Sequence, residues 1–259
     1  MIRRWAILLP LVFLAGYVAG VATPGQADPR GVNYPPTARS NEHLAAAATI
    51  ARVYDPDALD DTWAAYPALT RAYDHGIRVF HLSVKGTTKT SIAAFGRSMP
   101  ADVTMHFTWL HEPEGRFESG SLSVADYRAR WARIAPWIRD AGMHPLPVYM
   151  CRSWDPAIGR NPAAWMVPGL NRIGVDCHLT AKNSLTIPRR VVAFVKARGM
   201  GLVTPELGVD PAHPQAELKV SNYLGVVEAY ERHRWSAWFN AGRSVLTQQM
   251  ADHYYGGAS

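Results

Sequence analysis

Cysteine is nearly absent from this chain. There are two in 259 residues, Cys151 and Cys177, and they do not form a Cys-x-x-Cys pair, which argues against a thiolate zinc site. His-x-His and His-Glu-x-x-His are also missing. No ready-made imidazole metal motif is therefore present, and neither metal nor cofactor is expected. No Gly-rich phosphate loop follows the first strand-like run, which counts against an open doubly wound sheet, the runner-up fold. The 27 Lys and Arg outnumber the 21 Asp and Glu but are scattered along the chain. Without a basic run interleaved with aromatics, nucleic acid is not an expected partner. Charged residues make up 19% of the chain and hydrophobic ones 48%, a globular composition with ample apolar surface for one core.

One long apolar run is present, Trp5 to Ala22. It follows Arg3 and Arg4 and precedes Gly25-Gln26-Ala27, which offers small residues at the −3 and −1 positions of a cleavage point before Asp28. Residues 1–27 read as an export signal, and residues 5–22 are also long enough to serve as a membrane anchor. Either reading places the rest, a single domain over residues 28–259, outside the cell as a secreted or cell-surface monomer. Removing residues 1–27 takes away two arginines and no acids, so the formal charge falls from +6 to +4. In an oxidising compartment a disulfide is permitted.

From residue 30 onward, short β-like runs alternate with helix-like segments. The expected strands cover 31–34, 49–54, 77–84, 103–110, 144–150, 172–178, 201–205 and 235–240, with Asp55-Pro56-Asp57 breaking the second. Between them the spacing predicts helices over 41–47, 62–75, 90–96, 187–198 and 214–233, and a final one over 245–253. A long helix capped by Ser123 runs to Asp140 and stops at Ala141-Gly142. The residues 155–171 form a Pro-, Gly- and Trp-rich excursion with a short helix at most. Eight strands alternating with helices predict an α/β fold, a single (β/α)8 barrel.

The residues suited to chemistry sit at the ends of these strands. Val103 to Leu110 runs into His111-Glu112, and Gly201 to Pro205 runs into Glu206. A carboxylate half-withdrawn from water holds its proton closer to neutral pH and can act as an acid. In a barrel, active sites lie at the C-terminal ends of the strands, which would place Glu112 and Glu206 across one mouth. Paired carboxylates in that position suit glycosidic bond cleavage, one as acid/base and the other as nucleophile or as activator of water. Glu114 is an alternative acid, and Asp176 reads as a buried polar group. Arg52 and His81 are placed where inward side chains could contact a sugar hydroxyl or a carboxylate. Trp109, Trp154 and Trp165 could stack on sugar rings or pack in the core. His81, His106, His111 and His178 leave open a metal-dependent hydrolase. Cys151 and Cys177 end neighbouring strands, about 5 Å apart in a sheet, so a disulfide pinning the 155–171 excursion is predicted.

His111-Glu112 at the end of the fourth strand and Glu206-Leu207-Gly208 at the end of the seventh resemble the acid/base and nucleophile motifs of glycoside hydrolase family 26, retaining (β/α)8 enzymes that include β-mannanases and some β-glucanases and xylanases. The resemblance implies that Glu112 is the acid/base, Glu206 the nucleophile and His111 a residue orienting the site. It also implies that Trp238 lies beneath the sugar at the cleavage point, and that His178 stands where the family has a nucleophile-holding tyrosine. Thr108-Trp109 replaces the family's Arg-Pro, and Leu207 replaces a phenylalanine. The expected partner is a β-linked polysaccharide or oligosaccharide of mannan or β-glucan type. The competing expectation is a barrel that binds carbohydrate at the cell envelope without turnover.

Overall fold

The computed structural model describes residues 30–33, 50–179, 185–209 and 214–238. Its strands are β1 (Arg30–Asn33), β2 (Ile50–Ala58), β3 (Val79–Gly86), β4 (Thr104–Trp109), β5 (His144–Pro145), β6 (Val148–Met150), β7 (Arg172–Leu179), β8 (Gly201–Val209) and β9 (His233–Trp238). They form one parallel sheet in the order β5-β4-β3-β2-β1-β9-β8-β7-β6. The helices are α1 (Pro67–Asp74), α2 (Lys89–Ser98), α3 (Glu114–Glu118), α4 (Val124–Asp140), α5 (Pro162–Trp165), α6 (Thr186–Lys196) and α7 (Ala216–Glu228). A strand followed by a helix and then a parallel strand is the repeating unit of an α/β fold.

The two ends of this strand order are neighbours in the chain, because only Leu146 and Pro147 separate β5 from β6. Leu146 N–H donates to the Phe107 carbonyl on the β4 side at 2.9 Å, and Gly174 N–H of β7 donates to the Pro147 carbonyl at 2.8 Å. The expected strand over 144–150 is thus present as two short pieces facing opposite neighbours, and Pro147 supplies no N–H between them. Ile50, Leu146, Val148, Val203 and Ala237 form a small buried cluster with Val79 packed against it, so distant members of the order meet on one face of a curled sheet. A larger apolar cluster lies on the other face, under the helices. All nine residues of β8 are buried, as expected of a parallel strand covered on both faces.

Several local signals in the sequence act as expected. The Ser123 hydroxyl accepts from Asp126 N–H at 3.0 Å and starts α4, and Gly142 follows it at a positive φ of 76°. The 62–75 segment splits into a short 3₁₀ turn, Trp63–Ala65, and α1, because Pro67 begins the helix. Among the strand boundaries that differ from expectation, two bear on the site. β2 continues through Asp55-Pro56-Asp57 to Ala58 at the expense of a register shift, and β8 runs on to Val209, placing Glu206 inside the strand. The glutamate-bearing turn after β4 also carries a five-residue helix, α3, that hydrophobic periodicity did not indicate.

The predicted disulfide is present: Cys151 and Cys177 are bonded with Cα atoms 4.9 Å apart. It fastens the start of the 155–171 excursion to β7. Residues 1–27 and the expected helices over 41–47 and 245–253 lie outside the described residues. Among the described residues, no helix is long and apolar enough to cross a membrane.

Candidate active site

The two glutamates reach the same region by different routes. Glu112 follows β4 on a turn in which Leu110 (φ 54°) and Glu112 itself (φ 49°) occupy the left-handed region. Non-glycine residues rarely adopt this conformation, and such backbone strain gathers at functional sites. Hydrogen bonds from Leu110 N–H to the Val84 carbonyl (2.8 Å) and from Glu112 N–H to the Val148 carbonyl (2.9 Å) hold the turn. Glu206 instead sits in a bulge. Between paired residues, β8 has three residues (204–206) against two on β7, and two (205–206) against one on β9. The extra residue falls within Pro205-Glu206, where Pro205 lacks a ladder N–H, and such a bulge re-aims the side chain beside it.

Arg52 is the centre of the site. This guanidinium is fully buried and ion-paired with the Glu206 carboxylate; its Nη2 lies 3.7 Å from Asp176 Oδ2. Its Nε–H donates to His81 Nδ1 at 3.1 Å. His81 Nε2 lies 2.7 Å from Thr108 Oγ1, whose hydroxyl donates onward to the Leu146 carbonyl. The directions in this chain fix each other. His81 Nδ1 must accept, so Nε2 carries the hydrogen, and the imidazole is neutral. Burial and the adjacent Arg52 charge agree, driving His81 well below the usual histidine range.

Around Glu206 a second donor completes the grip. His178 Nε2 lies 3.0 Å from Glu206 Oε2 and donates to it. His111 is half-buried, its Nδ1 3.2 Å from Ser83 Oγ and its ring edge-on to Tyr54 with centroids 4.7 Å apart. One donor atom from each of His111, Asp176 and Glu206 lies within 4.8 Å of the others, so the ends of β4, β7 and β8 converge. These donor types suit a divalent cation. The Arg52 guanidinium, however, already supplies positive charge to both carboxylates, and a dication would have to share the space with it.

The electrostatic settings of the carboxyls differ. Burial pushes the Glu112 carboxyl above its usual range, partly offset by Arg52 and Arg152. Asp176, fully enclosed, is raised further by burial, again opposed by Arg52. Glu206 has a buried cation on one oxygen and an N–H donor on the other, both of which stabilise its ionised form. His111 is held to about 3 by burial first and by the Arg52 and Lys85 charges second, so it is neutral across the physiological range.

Other expected site residues lie elsewhere. Trp109 is buried, stacked on Tyr127 at 5.7 Å, with its Nε1–H donated to the Lys85 carbonyl at 2.8 Å; it offers no face to a ligand. Trp154 is buried and packs edge-on against Phe194 at 5.5 Å, and Trp165 is buried against Tyr149 at 6.4 Å. All three are core residues, because β4 and the excursion turn these rings toward the helix layer. Arg52 and His81 are likewise too deeply buried to meet a sugar and act through Glu206 instead. Trp238 ends β9, where its backbone pairs with Leu207 beside Glu206. Sequence reading missed Ser83, Tyr54 and the role of Thr108, whose only signal was its position next to the His-Glu motif.

No protein-family model and no curated protein matches this chain. Solved structures do. A GH26 endo-β-1,4-mannanase catalytic domain from Bacillus sp. JAMB-750 superposes with a TM-score of 0.60 at 11% identity, covering 90% of this chain and 86% of that one. An endo-β-1,4-glucanase from Xanthomonas axonopodis pv. citri, carrying three substitutions, gives 0.59 at 14% identity over 89% and 99%. A GH30 endoxylanase from Clostridium papyrosolvens gives 0.59 at 11% over 89% and 71%. Identities this low show the shared fold alone, an α/β architecture built on parallel strands.

Proposed function

We propose that this protein is an exported glycoside hydrolase, a divergent relative of family 26, that cleaves a β-linked polysaccharide of mannan or β-glucan type with retention. One observation carries the reading: two glutamates reach one site with opposite electrostatic settings. Glu112 is biased by burial to keep its proton, and Glu206 is biased by Arg52 and His178 to lose it. Carboxyl pairs whose surroundings push them apart in this way divide into acid and nucleophile.

The steps follow from those roles. Glu112 gives its proton to the glycosidic oxygen as the bond from that oxygen to the anomeric carbon breaks, while a Glu206 oxygen bonds to the carbon. The Glu112 carboxylate then takes a proton from water, the water oxygen bonds to the anomeric carbon, and the bond to Glu206 breaks. Both glutamates return to their starting states. Arg52 and His178 hold Glu206 in line, and a His111 ring nitrogen lies within 4.8 Å of a Glu206 carboxylate oxygen.

Taking residues 144–150 as one strand interrupted at Leu146–Pro147 makes the nine segments eight staves of a closed (β/α)8 barrel. Residues 28–259 are the catalytic domain, and residues 1–27 the signal or anchor; the disulfide accords with an oxidising compartment. A carbohydrate partner is supported by a structural neighbour, XacCel5A, solved in complex with cellopentaose (TM-score 0.60, 13% identity).

The test is hydrolysis of mannan, β-glucan and aryl glycosides by wild type, Glu112→Ala and Glu206→Ala. Turnover by wild type with loss in both variants is expected. Undiminished turnover in both variants overturns the site assignment, and glycan binding without turnover by wild type identifies a non-catalytic barrel instead.

A further inference from the structure

Glu114 lies two residues beyond Glu112 and opens α3, yet none of its surface reaches solvent. Its Oε1 accepts from Met150 N–H at 2.7 Å and from the Ser153 hydroxyl at 2.8 Å. Ser153 Oγ in turn accepts from Arg160 Nη1 at 3.1 Å, and Arg160 also pairs with Glu118, at the other end of α3. The Glu112 turn is therefore fastened at two points to residues 150–160. That segment is fixed to β7 by the Cys151–Cys177 bond, one residue from His178, which holds Glu206. A continuous set of contacts links one glutamate to the other, and the Glu114 carboxyl is its connection to the Glu112 side.

We propose that Glu114 is a positioning residue for the catalytic acid, tying the strained Glu112 turn to the disulfide-held rim and so setting the reach of Glu112 toward Glu206. The inference rests on the glycosidase reading above. The groups facing Glu114 are Glu112 on its own turn, Tyr127 on α4, Tyr149 on β6, Asp176 on β7 and, through Ser153, Arg160. Its Oε2 has no hydrogen-bond partner among the described residues. Burial first, with a smaller addition from the Glu112 charge, raises the carboxyl to about 7, so near neutrality it spends much of its time as an uncharged tie.

Two substrates separate this role from a purely structural one. A dinitrophenyl glycoside has a leaving group that departs without protonation, whereas a polysaccharide needs the acid. A misplaced acid therefore lowers kcat/KM, which reports the cleavage step, on the second alone, while the water-activation step that also uses Glu112 slows on both. Glu114→Ala is expected to lower kcat/KM on polysaccharide by about 10²-fold, and on the dinitrophenyl glycoside by no more than about threefold. Glu114→Gln keeps the acceptor for Met150 and Ser153 and should restore polysaccharide kcat/KM to within about tenfold of wild type. Should the alanine variant fail to fold, Ser153→Ala removes one donor and should show the same selective loss on a smaller scale. Equal loss on both substrates, or no loss on either, overturns the role of Glu114 while leaving the glycosidase reading intact. Absence of any wild-type turnover overturns that reading and this inference with it.

Discussion

The rim after β4 and the rim of β8 each present one glutamate, and they are built on opposite plans. The β4 side is a tight turn with two left-handed residues, held by backbone hydrogen bonds and by the buried Glu114, with Glu112 drawn partly out of water. The β8 side is a fully buried strand, bulged at Pro205, whose glutamate is gripped by the side chains of Arg52 and His178. The first arrangement favours a neutral carboxyl and the second a charged one. The contrast teaches that the two roles follow from what surrounds each glutamate, because the side chains themselves are identical.

The sharpest way to break that contrast is to remove each carboxyl in turn. Glu206→Ala is expected to lower kcat on every glycoside by about 10⁴-fold or more, as loss of a nucleophile does. Glu112→Ala should lower turnover of polysaccharide by about 10²- to 10⁴-fold while sparing the cleavage step of activated aryl glycosides. Equal losses for the two variants across both substrates would erase the distinction.

Next in size is the cation. Arg52→Met leaves Glu206 and Asp176 without their buried counter-charge, and such an uncompensated loss is expected to destabilise the fold by about 3–5 kcal/mol in denaturant titration. A smaller effect is expected from the rim: replacing Cys151 and Cys177 together by serine should lower stability by about 3 kcal/mol, because the bond closes a short loop. It should also reduce polysaccharide turnover more than that of an activated glycoside, since the Glu112 turn is anchored to this segment.

The pH dependence of stability probes the β4 side. Glu114 is raised from 4.5 to about 7 in the folded protein. The folded state thus holds a proton that the unfolded state has released, and wild-type stability falls as pH rises from 4.5 towards 7. The full displacement corresponds to about 3 kcal/mol, and Glu114→Gln should show a shallower slope in denaturant titrations across the same range, keeping only what the raised Glu112 and Asp176 carboxyls contribute. An identical slope in the variant would place the proton uptake elsewhere. The smallest change expected is His178→Phe, which removes one neutral hydrogen bond from Glu206 and should lower kcat by about tenfold, leaving the Arg52 ion pair to hold the carboxylate.

Much of the fold was legible because parallel strands buried on both faces give continuous apolar runs bounded by Gly and Pro. Each of the eight expected strands has a counterpart, and the one over 144–150 was split by a proline whose effect on pairing needs the neighbouring strands to be seen. The meeting of β4, β7 and β8 followed from strand order alone. Burial direction was not legible: Trp109, Trp154 and Trp165 read equally well as platforms or as core, and packing against Tyr127, Phe194 and Tyr149 decided for core. Arg52 and His81 were read as reaching a sugar hydroxyl or a carboxylate; Arg52 meets the Glu206 carboxylate, whereas His81 bonds to Arg52, a relay that a sequence cannot show. Glu114, read as an alternative acid, is fully buried, since it opens the five-residue α3.

In the strand order, β1 lies between β2 and β9, with Gly31 opposite both Ile50 and Ala237. The earliest strand to be synthesised must therefore wait for the latest before its second edge is covered. Until residue 233 has emerged, both β1 and β8 present open edges, and the bed on which Glu206 lies has only one wall. A nick or truncation that reaches into His233–Trp238 would strike the middle of the sheet and not its edge.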